Sequence, residues 1–284
     1  MISMVGKSIR RWWALFALPT CAAFAIGFVA PFIIGIYLSF TDFTTVTDAE
    51  WVGFENYAGV FSDPEFLHAL WLTVLFTIVT TIIINVAAFF VAYMFTKAMK
   101  GANLFRSVFF MPNLIGGIVL GYIWQLLING VLAHWGRSLT YSATYGFWGM
   151  VILVCWQQIG YMMVIYIAGM QGLPSDVMEA AAVDGASSRQ ILFKVTIPLM
   201  MPSITVCTFL TVTNGFKLFD QNLALTNGAP SNMSEMLALN IYRTFYGRVG
   251  YEGVGQAKAV VFFIIVAIIS VIQNKLTTSK EVEA

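Results

Sequence analysis

Six runs of predominantly apolar residues, bounded by charge or turn residues, constrain this chain more than any other feature. They lie at approximately 13–38, 70–95, 106–128, 147–170, 199–222 and 255–275. A helix rises 1.5 Å per residue, so about 20 residues cross a hydrocarbon core about 30 Å thick, and each run is long enough to span a bilayer. The last run has 16 uncharged residues between Lys258 and Lys275, and both lysines can snorkel from the ends of an ordinary span. Pro19, Pro31, Pro198 and Pro202 fall in or beside the runs, where neighbouring helices can satisfy the backbone groups that a proline frees. A β-barrel needs segments of about 10 residues with strict alternation, which continuous apolar runs do not supply. Composition agrees: 59% of the 284 residues are hydrophobic and 10% charged, with mean hydropathy +0.80, whereas a soluble domain carries about 25% charged residues. The sequence predicts an all-α integral membrane protein of six transmembrane helices, one membrane domain over 1–284, with the bilayer as its solvent.

Basic residues near the spans orient it. Lys7, Arg10 and Arg11 precede the first run. Lys97, Lys100 and Arg106 lie between the second and third, Arg189 and Lys194 between the fourth and fifth, and Lys275 and Lys280 after the sixth. The opposite loops hold Arg137, Arg243 and Arg248, with Lys217 and Lys258 at their edges, and an acidic first loop of Asp42, Asp48, Glu50, Glu55, Asp63 and Glu65. The positive-inside rule places the first set, and both termini, in the cytoplasm. The uncharged stretch from Trp12 to Thr41 is 30 residues, too long for a signal-peptide core, so it is expected to remain as an anchor. A net charge of +1 with scattered cations gives no field for nucleic acid.

Enzyme chemistry is poorly supplied. Cys21, Cys155 and Cys207 sit in apolar runs and read as small hydrophobic residues rather than disulfides or metal ligands. The histidines, His68 and His134, lie at outer loop edges, and no HExxH or GxSxG occurs. Gly6-Lys7-Ser8 lacks the upstream glycine of a P-loop, so ATP, if used, is bound by another chain. Catalytic and metal-ligating residues are therefore expected to be none. Nearly charge-free spans also disfavour a proton- or sodium-coupled carrier, which keeps ionisable groups within the bilayer.

The segment from Gly172 to Pro198 predicts a helix pair. Pro174 and Ser175-Asp176 start a short helix with an acid at its positive end; Val177, Met178, Ala180 and Ala181 form an apolar ridge; Gly185 closes it in a left-handed cap. Ser187 and Gln190 have capping-box spacing for the next helix, which Pro198 leads into the fifth span. Such a helix suits docking to a partner or lying on the membrane surface, and the pattern leaves both open.

Glu179-Ala180-Ala181, then Gly185, then Val195-Thr196-Ile197-Pro198 resembles the EAA signature of the membrane subunits of bacterial ABC importers. That signature normally ends Ile-x-Leu-Pro, so Val195 and Ile197 are conservative departures. The stretches Ser39-Phe-Thr-Asp-Phe43, Val52-Gly-Phe-Glu-Asn-Tyr57, Phe105-Arg-Ser-Val-Phe-Phe-Met-Pro112, Trp156-Gln-Gln-Ile-Gly-Tyr161, Phe219-Asp220 and Leu225-Thr-Asn-Gly-Ala-Pro230 are similar to the carbohydrate-importer permeases, the group of the maltose and multiple-sugar transporters. The resemblance implies that Glu179, Ala180, Ala181, Asp184 and Gly185 form a coupling helix seated in a cytoplasmic ATPase. It implies two copies of that ATP-binding subunit, which use ATP and Mg while this chain binds no cofactor. It also implies a second homologous permease and an extracellular solute-binding protein that delivers a sugar, an oligosaccharide in the leading reading.

A sugar path needs hydroxyl-directed hydrogen bonds and an aromatic face. Gln157, Gln158 and Tyr161, beside Trp156, supply these in the fourth run, and Thr211 and Asn214, with Thr208, supply a polar stripe in the fifth. In the resembled family these two spans line the path. The same residues can instead join helices to one another, or bond their own backbone. Lys217 and Asp220, spaced i and i+3, predict an interfacial ion pair. A glycerol-3-phosphate importer would want cations along the path, and an integral-membrane enzyme would want the missing catalytic groups.

Overall fold

The computed structural model describes residues 12–96 and 101–279, apart from positions 14 and 16 and the side chains of 102 and 103. Gly6-Lys7-Ser8 and the flanking cations Lys7, Arg10, Arg11, Lys97, Lys100 and Lys280 lie outside the described residues. In chain order the elements are α1 (Ala17–Leu38), a ribbon of β1 (Thr41–Asp42) and β2 (Glu50–Trp51), α2 (Glu55–Ser62) and α3 (Pro64–Thr96). Next come α4 (Ala102–Phe110), α5 (Gly117–Ala133), α6 (Ala143–Gln171), α7 (Ser175–Val183) and α8 (Ser188–Leu199). The last are α9 (Met201–Phe216), α10 (Asp220–Leu225), α11 (Leu237–Gly247) and α12 (Glu252–Thr278). Four helices, α1, α3, α6 and α12, are individually long and apolar enough to cross a membrane; the count is six if two bent pairs each form one span.

Two of the six expected spans are bent pairs. The run at 106–128 turns through 100° between its α4 half, which ends in a 3-10 turn at Met111–Leu114, and α5. Pro112 cannot donate a backbone hydrogen bond, and Ile115 and Gly116 are extended, so the ladder stops there. The run at 199–222 begins at a 68° bend between α8 and α9 and ends early, at Phe216. Before that bend, Leu192–Thr196 form a π turn in which Ile197 N–H reaches the Leu192 carbonyl, immediately ahead of Pro198. The expected Lys217–Asp220 pair does not form either. Residues 217–219 are not helical, so the i, i+3 spacing no longer places the two side chains on one face.

The chain divides into two compact units, Met1–Ser62 with Ile241–Val261, and Asp63–Asn240 with Phe262–Ala284. In the first, Asn56 Nδ2 donates to the carbonyls of Ser39 and Thr41 at 3.1 and 2.9 Å, and the ribbon pairs Thr41 with Trp51. The ribbon's turn is fastened by Asp48, whose carboxylate accepts the Thr44 and Thr45 N–H groups at 3.0 and 2.8 Å. In the second unit α6 is the central rod, buried around most of its circumference. α3, begun by Pro64 with the Asp63 side chain accepting Glu65 N–H at 2.9 Å, packs a stripe of Phe76, Thr80, Ile84, Ala88 and Ala92 into the same core. α4 crosses α6 at Gly160, where a β-carbon would fall 1.7 Å from the Phe109 carbonyl oxygen, so only glycine permits the approach.

Candidate functional site

Two features of the second unit bear on function. The first is α7. Pro174, in extended conformation, starts it; Asp176 sits in its first turn; and its end forms a Schellman motif, with Ala186 N–H on the Ala181 carbonyl and Gly185 N–H on the Ala182 carbonyl, both 3.1 Å. Gly185 has φ +79°, a left-handed conformation that glycine adopts without strain. The Ser187–Gln190 capping box is present and starts α8. No residue of α7 is buried. Glu179, Ala180, Asp184 and Gly185 are exposed, while Met178 and Ala181 are half-buried. Val183 is 86% exposed, and Glu179 is exposed with no side-chain partner among the described residues. A capped helix with an apolar ridge that nothing among the described residues covers has a free face for a partner.

The second is a belt of amides and hydroxyls around α6. Gln157 and Gln158 are buried. Gln157 Nε2 donates to the Ile115 carbonyl at 3.3 Å, and its Oε1 accepts from Gln221 Nε2 at 2.9 Å. Gln158 Oε1 accepts from Asn214 Nδ2 of α9 at 3.4 Å. Tyr161 is half-buried with its ring 6.3 Å from that of Phe110, and its hydroxyl has no hydrogen-bond partner among the described residues. Thr211 is fully enclosed. Its hydroxyl donates to the Cys207 and Thr208 carbonyls and accepts from Asn85 Nδ2 at 2.9 Å, while Asn85 Oδ1 accepts from Tyr166 at 2.7 Å. Trp156, largely exposed, stands edge-on to Trp124 at 5.5 Å.

The structure therefore brings Gln158 to Asn214 and Gln157 to Gln221, and sets Thr211 in a separate knot with Asn85 and Tyr166. Sequence reading passed over Asn85, Tyr166 and Gln221. Asn85 carried a signal, as a lone amide deep in an apolar run, where such groups find partners on other helices. Cys155 and Cys207 are buried and free, and Cys21 is free and exposed.

A family model described as the inner membrane component of binding-protein-dependent transport systems matches residues 99–279, which include α7 and every belt residue named above except Asn85. The chain belongs to that family. This inner membrane component is accordingly a membrane-embedded transport subunit and not an enzyme. It is 43% identical over 280 residues to a probable starch degradation products transport system permease protein of Thermoanaerobacterium thermosulfurigenes, with 96% of each chain covered. It is 29% identical to a multiple sugar-binding transport system permease protein of Streptococcus mutans, over 98% of this chain and 99% of that one. Its fold matches a crystal structure of a bacterial ABC transporter involved in the import of the acidic polysaccharide alginate. The TM-score is 0.80 at 19% identity, over 97% of this inner membrane component and 99% of that chain.

Proposed function

We propose that the chain is one of two permease subunits of an ATP-driven importer of a sugar, an oligosaccharide in the first instance. The relatives named above are a probable starch degradation products permease and a multiple sugar-binding transport permease, which supports that substrate class. The observation that carries the reading is the chemistry of the belt: the side chains bonded there are amides and hydroxyls, next to aromatic rings, and none is a cation. Neutral polyols are recognised by such groups, whereas a phosphate ester calls for Arg or Lys. Gln158, Asn214 and Tyr161 are the residues proposed to meet the sugar. Gln157 and Thr211, whose polar groups are already engaged, shape the path beside them.

The exposed α7 is proposed as the coupling helix. Glu179, Ala180, Ala181, Asp184 and Gly185 would seat in a cytoplasmic ATP-binding subunit, present in two copies. Those subunits use ATP and Mg, and this chain binds neither. The orientation follows the basic flanks, with both termini cytoplasmic, and an extracellular binding protein delivers the sugar. Residues 1–284 act as one transport domain. The deciding experiment is ATP-dependent uptake by the complex in liposomes across a panel of oligosaccharides, monosaccharides and glycerol-3-phosphate. Uptake of an oligosaccharide is expected; transport of the phosphate ester alone would overturn the sugar reading.

A further inference from the structure

Three irregularities of the second unit converge on one side chain. The third run breaks at Ile115–Gly116, α9 gives out at Lys217, and α10 starts at Asp220. Gln157 of α6 bonds to both sides of this gap, to the Ile115 carbonyl and to Gln221. Beyond the breaks, α5 and α10 are fastened to each other. A β-carbon on Gly117 would come within 2.7 Å of Asp220 Cβ, and one on Gly121 within 2.5 Å of Ala224 Cβ. Gln125 Nε2 donates to the Leu225 carbonyl at the end of α10 at 2.9 Å. Two helices in such close contact move together, linked to the preceding α4 and α9 by non-helical residues. Against α6 the pair makes mainly apolar contacts, such as Trp124 on Trp156, with one soft polar contact from Asn222 Nδ2 of α10 to Met150 Sδ at 3.3 Å. Apolar surfaces in lipid gain little from being apart or together, so the directional amide bonds decide the register.

We propose that α5 and α10 move as one leaf against α6 during transport, and that Gln157 and Gln221 are positioning residues whose amide pair, with the Ile115 carbonyl, latches the leaf. The proposal rests on the transport reading above. Its test uses the full complex in liposomes, with Cys21, Cys155 and Cys207 replaced. Gln157→Cys and Gln221→Cys are combined and bridged by a short, reducible thiol crosslinker. Bridging is expected to lower binding-protein-stimulated ATP hydrolysis and uptake at least about tenfold, with recovery on reduction. Undiminished turnover of the bridged form overturns the leaf.

Gln221→Met, which keeps the approximate size of the side chain but cannot donate, gives a second readout. It is expected to raise hydrolysis without binding protein about fivefold, the factor set by one typical net hydrogen bond, and to leave the half-saturating sugar concentration unchanged. A shift in sugar selectivity with unaltered unstimulated hydrolysis would make Gln221 a sugar contact and overturn the latch. Hydrolysis needs no sugar, so a wild-type complex that turns over ATP yet imports no sugar counts against the substrate reading and not against the latch.

Discussion

Gly160 and Gly130 pose the same substitution in opposite surroundings. A β-carbon at Gly160 meets the Phe109 backbone, while at Gly130 it meets nothing within 4 Å. Gly160→Ala should therefore force α4 off α6 and cost about 1–3 kcal/mol, the range for overpacking, seen as a lower melting temperature in detergent. Gly130→Ala, in the helical interior of α5, should raise stability by about 0.5–1 kcal/mol. At α7, Glu179→Lys and Gly185→Asp should abolish uptake while the complex still reaches the membrane, since the first reverses a charge on an uncovered face and the second strains a left-handed residue. Normal transport by both would remove the coupling assignment. In the belt, Gln158→Leu, Tyr161→Ala and Asn214→Leu should weaken apparent sugar affinity about tenfold each, the loss when a buried polar partner is left unpaired. Unchanged affinity and selectivity in all three would return these residues to helix packing.

At the scale of the element, what was legible depended on how local its cause is. α7, its Schellman end and the capping box of α8 were readable because Pro174, Gly185, Ser187 and Gln190 act within a few residues of themselves. The bends in the third and fifth runs were not, because hydropathy measures how apolar a segment is and is silent on its direction. Their chemical cause was in view, at Pro112, Gly116 and Pro198, but a bundle often absorbs such residues without a break. Pairing across the belt was likewise invisible, since Gln221 reaches Gln157 only after α9 has ended at Lys217. The ribbon turn offers a local test by pH. The Thr45 and Thr44 N–H groups hold the Asp48 carboxyl below its ordinary value of 3.8. A depressed folded value stabilises the turn above 3.8 and stops doing so as pH falls through the lower folded value. Protection of the Thr44 and Thr45 amides, taken relative to their intrinsic exchange at each pH, should thus be present at neutral pH and be lost below that point, and Asp48→Asn should flatten the dependence.

For the whole molecule, composition announced the membrane and the residues from Glu179 to Pro198 announced the family, whereas no single-chain feature could disclose the partners' surfaces. In the proposed reading the energy source lies in another chain. The purified chain should hydrolyse no ATP, and added ATP-binding subunits should bring turnover that the Glu179→Lys chain does not support; hydrolysis by the isolated chain would refute this. Length adds a further consequence. α3 has 33 residues and α6 has 29, so at 1.5 Å per residue they measure about 50 and about 44 Å, well beyond a hydrocarbon core of about 30 Å. Rods that overshoot must tilt, stand proud of the acyl region or thicken the lipid around them, each at a cost of a fraction of a kcal/mol per Å. The transporter is thereby tuned to its bilayer, and transport rates measured in short- and long-chain lipids should differ even where sequence, substrate and ATP are held the same.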